Sequence, residues 1–514
     1  MDPDPGKTQA KFQRLKEAVL SKRPVLKEIL EKHGYKNLFQ YAQDYIAVNL
    51  PPAIKERQDE FLGTLKQEIS RLLGDEVAES VAEQLRSYYF VSTADHHGPF
   101  TSPFFLSGNL LMSAPYKVLK DPKLQNVIAL ACANVSLNNS SFPRGLLFHS
   151  FANGKTQTHR LSFLPSNDHS STVYNYRPYS EKDIKKIKSL LAEKVGAGLV
   201  KKTEQDQLNK LIDEIYGKPE VLAAKNYSDQ VTITNFELWK RYFAKCKHKH
   251  TPPNLIYLEQ ESLVVRLLID HHLYRDTVVQ RILFNPSYFE PIKKYFENIM
   301  GAFCREHNYG TYFFWYIPEK NDRRIQMWIE GNKLVVEGGG YELDLTPEAI
   351  QKALEEKKIM PSMLTIFLVL SFYYGLKCLG GFSQVNYLTE MKNAYIKMNA
   401  DLGNYRSIEM CARAQTKELC EFTTAFIQTP EGTIPATGLD LILHGDENTW
   451  DFFVDESKQI TLGEAFSPLY PEFYRIIYAE GQRDAELMEV TDKDITQLAG
   501  LEQKIRPCAI LKPE

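Results

Sequence analysis

The sequence predicts a mixed α/β chain of the α+β class, with a helical N-terminal region, a central sheet-containing body and a helix-rich C-terminal part packed on it. Three observations predict this. Helical periodicity runs through residues 7–88, β-rich runs begin at Tyr88, and helical sequence returns with Thr346-Pro347. The boundaries fall at 1–87, 88–345 and 346–514. A chain of 514 residues also exceeds one ordinary core.

In the first region, Leu15, Ala18, Val19 and Leu20 pattern one helix and Pro24 opens the next. "YKNLFQYAQDYIAVNLPP" gives a third, stopped by Pro51 and Pro52. Ile54 to Leu73 and Asp75 to Ser87 supply two more. In the body, "YYFVST" and "NVIALACANVSL" read as strands, the second apolar enough to be buried on both faces. "GLLFHSFANGKTQTHRLSFL" places Asn153-Gly154, a favoured two-residue turn, between two β-like runs. That register sets Phe148 opposite His159 and His149 opposite Thr158, with the two histidines on opposite faces. Residues 180–250 read as helical and charged, opened by a capping signal at Ser180 and closed by the basic "KCKHKHTPPN". A long helix is expected from Leu258 to about Ile282, and a hairpin turn at Gly331-Asn332. Thr346 and Pro347 open a further helix. "MLTIFLVLSFYYGLKCL", 363–379, is too short and too polar at Thr365, Ser371, Gly375 and Lys377 for a membrane span. It is expected to be one buried helix, capped by Gly380-Gly381.

Composition bounds the function. The 43% hydrophobic and 25% charged content is that of a soluble globular protein. A net charge of −3 gives no overall electrostatic footprint for nucleic acid. The seven cysteines are odd in number and lack zinc-motif spacing, which suits a reducing, cytoplasmic compartment. The N-terminus carries no signal-peptide pattern. Walker, dinucleotide-fingerprint, nucleophile-elbow and His-Glu-x-x-His motifs are absent from the sequence.

The chemistry-bearing types cluster in a few places. Asp95-His96-His97 follows a β-like run and precedes Gly98-Pro99, the setting in which a rigid scaffold presents functional side chains. Imidazole and carboxylate there can move protons or bind a divalent metal, iron or zinc. The plain alternative is a polar turn. His159 and Asp168-His169 join the candidate site if the strand before Asp95 neighbours the hairpin, with His97 and His169 as the metal ligands. Arg144, after Asn138, Asn139, Ser140 and Ser141, can clamp a carboxylate or phosphate, and Gln384 is a further polar candidate. Asp270-His271-His272 reads as structural, with His272 on an apolar helix face and Asp270 four residues from Arg266. The expectation is a cytoplasmic enzyme, a metal-dependent hydrolase or an oxidoreductase, acting on a small polar or anionic molecule, with neither nucleic acid nor membrane as partner. Its rivals are a non-catalytic small-molecule binder and a helical interaction scaffold.

Overall fold

Local signals act as written at most helix starts. In the computed structural model, which describes residues 5–48, 52–139, 141–168, 170–246, 253–319 and 323–512, five helices open the chain. They are α1 (Pro5–Ser21), α2 (Pro24–His33), α3 (Leu38–Ile46), α4 (Pro52–Leu73) and α5 (Asp75–Ser87). Asn37 and Gln40 form a reciprocal capping box at α3, and Ser180 with Asp183 does the same for the helix Glu181–Gly196. The apolar face of α1, with Leu15 and Val19 buried, is covered by the C-terminal helix Tyr470–Ile477. Arg14 fixes the contact through Asp484 at 2.6 Å and Glu486 at 2.7 Å.

The central sheet has four short parallel strands. Strands β1 (Phe90–Ser92) and β2 (Asn126–Ala131) come first. The hairpin β3 (Gly145–Ala152) and β4 (Lys155–Ser162) follows as a separate pair, with Phe148 opposite His159 as the turn demands. Then come β5 (Asn254–Glu259) and β6 (Lys377–Leu379), and the sheet order is β6-β1-β2-β5. Phe90 pairs with Lys377, Ser92 with Ala129, and Ala129 with Tyr257. Strand β2 is buried along its whole length. Alternate residues feed two cores: Val127, Ala129, Leu255 and Tyr257 face one, while Ile128, Leu130, Ile256 and Leu258 face the other.

Helix α6 (Pro103–Leu119), between β1 and β2, and α7 (Tyr227–Tyr242), before β5, contribute Leu106, Leu110, Val231 and Trp239 to the first core. Helix α8 (Gln260–Leu267), after β5, and α9 (Gln384–Asp401), after β6, contribute Leu263, Leu388, Met391 and Met398 to the second. The chain therefore leaves β1 toward one face and β6 toward the other. Open parallel sheets bind ligands at the carboxyl ends of their strands, where successive connections change face.

Three expectations are corrected. The stretch 258–282 is not one helix. Strand β5 occupies 254–259, α8 follows, a π-helical turn covers Leu268–His272, and a new helix, Val278–Phe284, starts after a break. A short apolar run fits a buried strand as well as a helix, and here the neighbouring β2 decides it. The stretch 363–379 splits likewise into the helix Met363–Phe367, a π-helical segment Leu368–Tyr373 and strand β6. Gly375 turns the chain at φ +66°, where a Cβ would lie 2.2 Å from Ile54 Cδ1. Lys377 ends buried, donating to the carbonyls of Asp44 at 2.6 Å and Ala47 at 3.0 Å. Gly380-Gly381 thus follows a strand, not a helix. Among the described residues no helix is long and apolar enough to cross a membrane. Ser140, His169 and most of the basic loop beyond Cys246 lie outside the described residues.

Candidate functional site

The Asp-His-His loop prolongs β1. Thr93 donates to the Leu379 carbonyl, Cys132 N–H to the Asp95 carbonyl at 2.8 Å, and His97 N–H to the Cys132 carbonyl at 2.8 Å. The triplet is thus held between β6 and β2 by backbone bonds. Gly98 is needed behind it, because a Cβ there would sit 2.5 Å from Pro143 Cα. This close approach sets Pro143 against the backbone that follows the triplet.

The three side chains part company. Asp95 is buried and accepts from Asn109 Nδ2 at 2.7 Å, with Ser92 Oγ at 3.5 Å. Burial pushes its carboxyl up to about 7. His96 is half-buried, and its Nδ1 lies 3.3 Å from Asn139 Oδ1. Burial holds it below the ordinary histidine range, so the ring is neutral near pH 7. His97 is fully buried, stacked on Tyr257 with ring centroids 5.6 Å apart, and its Nε2 meets the Ser228 carbonyl at 3.2 Å. Burial lowers it too. The remaining nitrogen, Nδ1, is buried with no hydrogen-bond partner.

The other sequence candidates divide. Asn139 does join the triplet, and its amide also closes its own turn through the Ser136 carbonyl and Ser141 N–H. Asn138 is exposed. Arg144 lies over the Phe142 ring at 5.4 Å, with its Nε buried and unpartnered. Gln384 donates to Thr93 Oγ1 at 2.5 Å and so ties the start of α9 to the end of β1. His159 bonds Ser150 Oγ at 2.7 Å and packs on Phe148 at 4.9 Å. Burial takes it down to about 4. It shares no contact partner with His97, so those two histidines do not converge. Asp168 accepts from Tyr176 OH in its own loop. His272 packs edge-on against Tyr373 at 4.6 Å and is lowered by burial to about 3, and Asp270 pairs with Arg266 at 3.4 Å. Among the described residues no group of three or more His, Cys, Asp or Glu side chains comes together as a metal-ligand set.

Sequence reasoning missed the carboxyl ends of β2 and β5. Glu261 is fully buried there, accepting from Ala133 N–H at 2.8 Å and Asn134 N–H at 3.0 Å, with Cys132 Sγ at 3.5 Å. Burial, seconded by the nearby Glu259 charge, pushes its carboxyl up to about 7. In front of this wall opens a cleft of about 780 Å³. One side is Asn134, Ser136 and Asn139, and the other is Asn308, Trp315, Arg323, Arg324 and Gln326. No Asp or Glu is among the described residues that line it. Arg324 lies over the Trp315 ring at 4.6 Å and its Nε has no partner. Its charge is felt by Cys132 and Glu261. No protein-family model and no curated protein matches this chain. The signal that could have found the cleft is the reading of "NLIYLE" as a parallel strand, which puts Glu259-Gln260-Glu261 at its carboxyl end.

The arrangement has definite chemical capacities. Guanidinium groups and amides without a competing carboxylate select an oxyanion. His96 sits one hydrogen bond behind the lining residue Asn139 and keeps some solvent exposure.

Proposed function

We propose that the protein is a cytoplasmic enzyme acting on a small anionic molecule held in the cleft at the carboxyl ends of β2 and β5. The observation that carries this reading is the cleft lining, which combines Arg323 and Arg324 with four amide side chains and no carboxylate among its described residues. Arg324 and Arg323 would bind the oxyanion, Asn134 and Gln326 would orient it, and neutral His96 would accept a proton from it, its ring oriented by Asn139. Asp95 and Glu261 would act as positioning groups, since neither faces the open cleft. The seven cysteines, all free thiols, support a reducing compartment.

The packing of His97 inside the core favours a second reading, a non-catalytic anion-binding protein using the same cleft. Two measurements together separate these readings. Calorimetry with citrate should show a binding step in the wild type that Arg324→Met removes. Incubation with a metabolite extract, followed by mass spectrometry, should show depletion of an anionic compound by the wild type and none by His96→Ala. Binding without depletion selects the binder, and no anion binding to the wild type overturns both.

A further inference from the structure

A different pocket, beyond the carboxyl end of β6, is bordered by a buried positive charge that lacks a directly bonded carboxylate among the described residues. Arg23 immediately precedes α2, and only 7% of it is exposed. A guanidinium carries five N–H donors. Here Nη1 donates to the Lys22 carbonyl at 2.9 Å, and Nη2 reaches only the weakly accepting Met300 Sδ at 3.5 Å. Nε is buried with no acceptor at all. Among the described residues no carboxylate lies within ion-pair distance of Arg23, although the charge of Glu390 is felt. Burial accordingly pulls the guanidinium below its ordinary range. An ion held this way is costly unless something pairs with it.

What borders Arg23 is an open pocket of about 470 Å³. Lys22 adds a second cation at its wall, and Ser383 and Gln482 add neutral donors. Its rim is apolar, with Met300 44% and Ile476 57% exposed. Its described lining, like that of the first cleft, contains no Asp or Glu, but the two share no residue.

We infer that this pocket binds a small organic oxyanion, a phosphate monoester or a carboxylate on an apolar body, with Arg23 as its buried anchor. The guanidinium takes the oxyanion, Lys22 screens the charge at the mouth, Ser383 and Gln482 donate to its remaining oxygens, and the apolar body lies on Met300 and Ile476. The site is separate from the catalytic reading above and does not depend on it.

Calorimetry with hexyl phosphate, hexanoate, inorganic phosphate and hexanol tests the assignment. Hexyl phosphate or hexanoate should bind the wild type saturably, the tighter of the two identifying the headgroup. Inorganic phosphate should bind about tenfold more weakly and hexanol not at all, as expected when both charge and apolar contact contribute. Arg23→Met should weaken binding about 100-fold, the loss of a charge-assisted pair, without lowering the melting temperature of the ligand-free protein. Lys22→Glu, at an exposed position, should weaken it about tenfold and decides the matter if Arg23→Met fails to fold. In the Arg324→Met background, in which the first cleft no longer takes an anion, binding to this pocket should persist at wild-type affinity. Failure of hexyl phosphate and hexanoate to bind at millimolar concentration overturns the assignment. So does unchanged binding in Lys22→Glu, or loss of binding in Arg324→Met.

Discussion

The loop Asp95–His97 and the hairpin histidines His149 and His159 are built from the same kinds of side chain, yet they reach opposite ends. In the loop, a carboxylate and two imidazoles are consecutive in sequence and none of them meets another. Asp95 bonds Asn109, His96 faces Asn139, and His97 faces the Ser228 carbonyl. In the hairpin, His149 has no acidic neighbour in sequence and still finds one. Asp440, in the helix α10 (Gly438–His444), accepts from His149 N–H at 2.8 Å and from His149 Nδ1 at 2.7 Å. It also accepts from Thr437 N–H at 2.8 Å, so one carboxylate caps its own helix and anchors the hairpin. His444 adds a bond from its Nε2 to the His149 carbonyl at 3.2 Å. Successive side chains on an extended chain point apart, so adjacency does not make a pair. The contact that makes one spans 291 residues.

Substitutions test how differently the two regions use the same side chains. The largest effect belongs to the hairpin. Asp440→Ala strands two buried donors of His149 and one of Thr437, and should cost about 3–5 kcal/mol by urea unfolding, as for breaking a buried charged network. A cost under about 1 kcal/mol would make the two regions alike and remove the contrast.

Next comes the loop residue that behaves as core. His97→Ala deletes a fully buried ring stacked on Tyr257, and should cost about 2–4 kcal/mol in the same assay. A near-neutral result would return His97 to the class of side chains merely presented by the scaffold.

The Asp95 carboxyl gives a pH signature. Its folded value, about 7, lies above the ordinary aspartate value near 3.9, so the fold favours the protonated form. The stabilisation is present below pH about 4 and is lost as the pH rises through about 7. Glu261 titrates in the same direction. Unfolding free energy should therefore fall between pH 5 and pH 8, and Asp95→Asn should reduce that fall by on the order of 2 kcal/mol. An unchanged profile in Asp95→Asn would show that this carboxyl stays ionised in the fold.

The smallest effect on stability is expected at His96. It is half-buried with one long hydrogen bond, so His96→Ala should change unfolding by less than about 1 kcal/mol. Thermal melting of the His96→Ala and His97→Ala variants side by side measures how differently two adjacent histidines are used.

Some of this was legible in the residues. Asn153-Gly154 and the alternation around it determined the hairpin register, and Ser180 and Thr346 determined helix starts, because each signal acts within a few residues of itself. The α+β class followed from the same local patterns. Strand β5 did not, because "NLIYLE" has no period that separates a buried strand from a helix, and only its pairing with β2 makes it one. The segment 363–379 carried its apolar character openly but not its division, which depends on Gly375 meeting Ile54 and on β6 pairing with β1. The two arginine-lined sites were invisible for the same reason. Arg23 and Arg324 sit in ordinary polar sequence and come to line a cavity with a buried, unpartnered Nε only when distant segments close around them. Local backbone preference is written in neighbouring residues, whereas burial, partner and charge environment belong to segments that meet only in the folded chain.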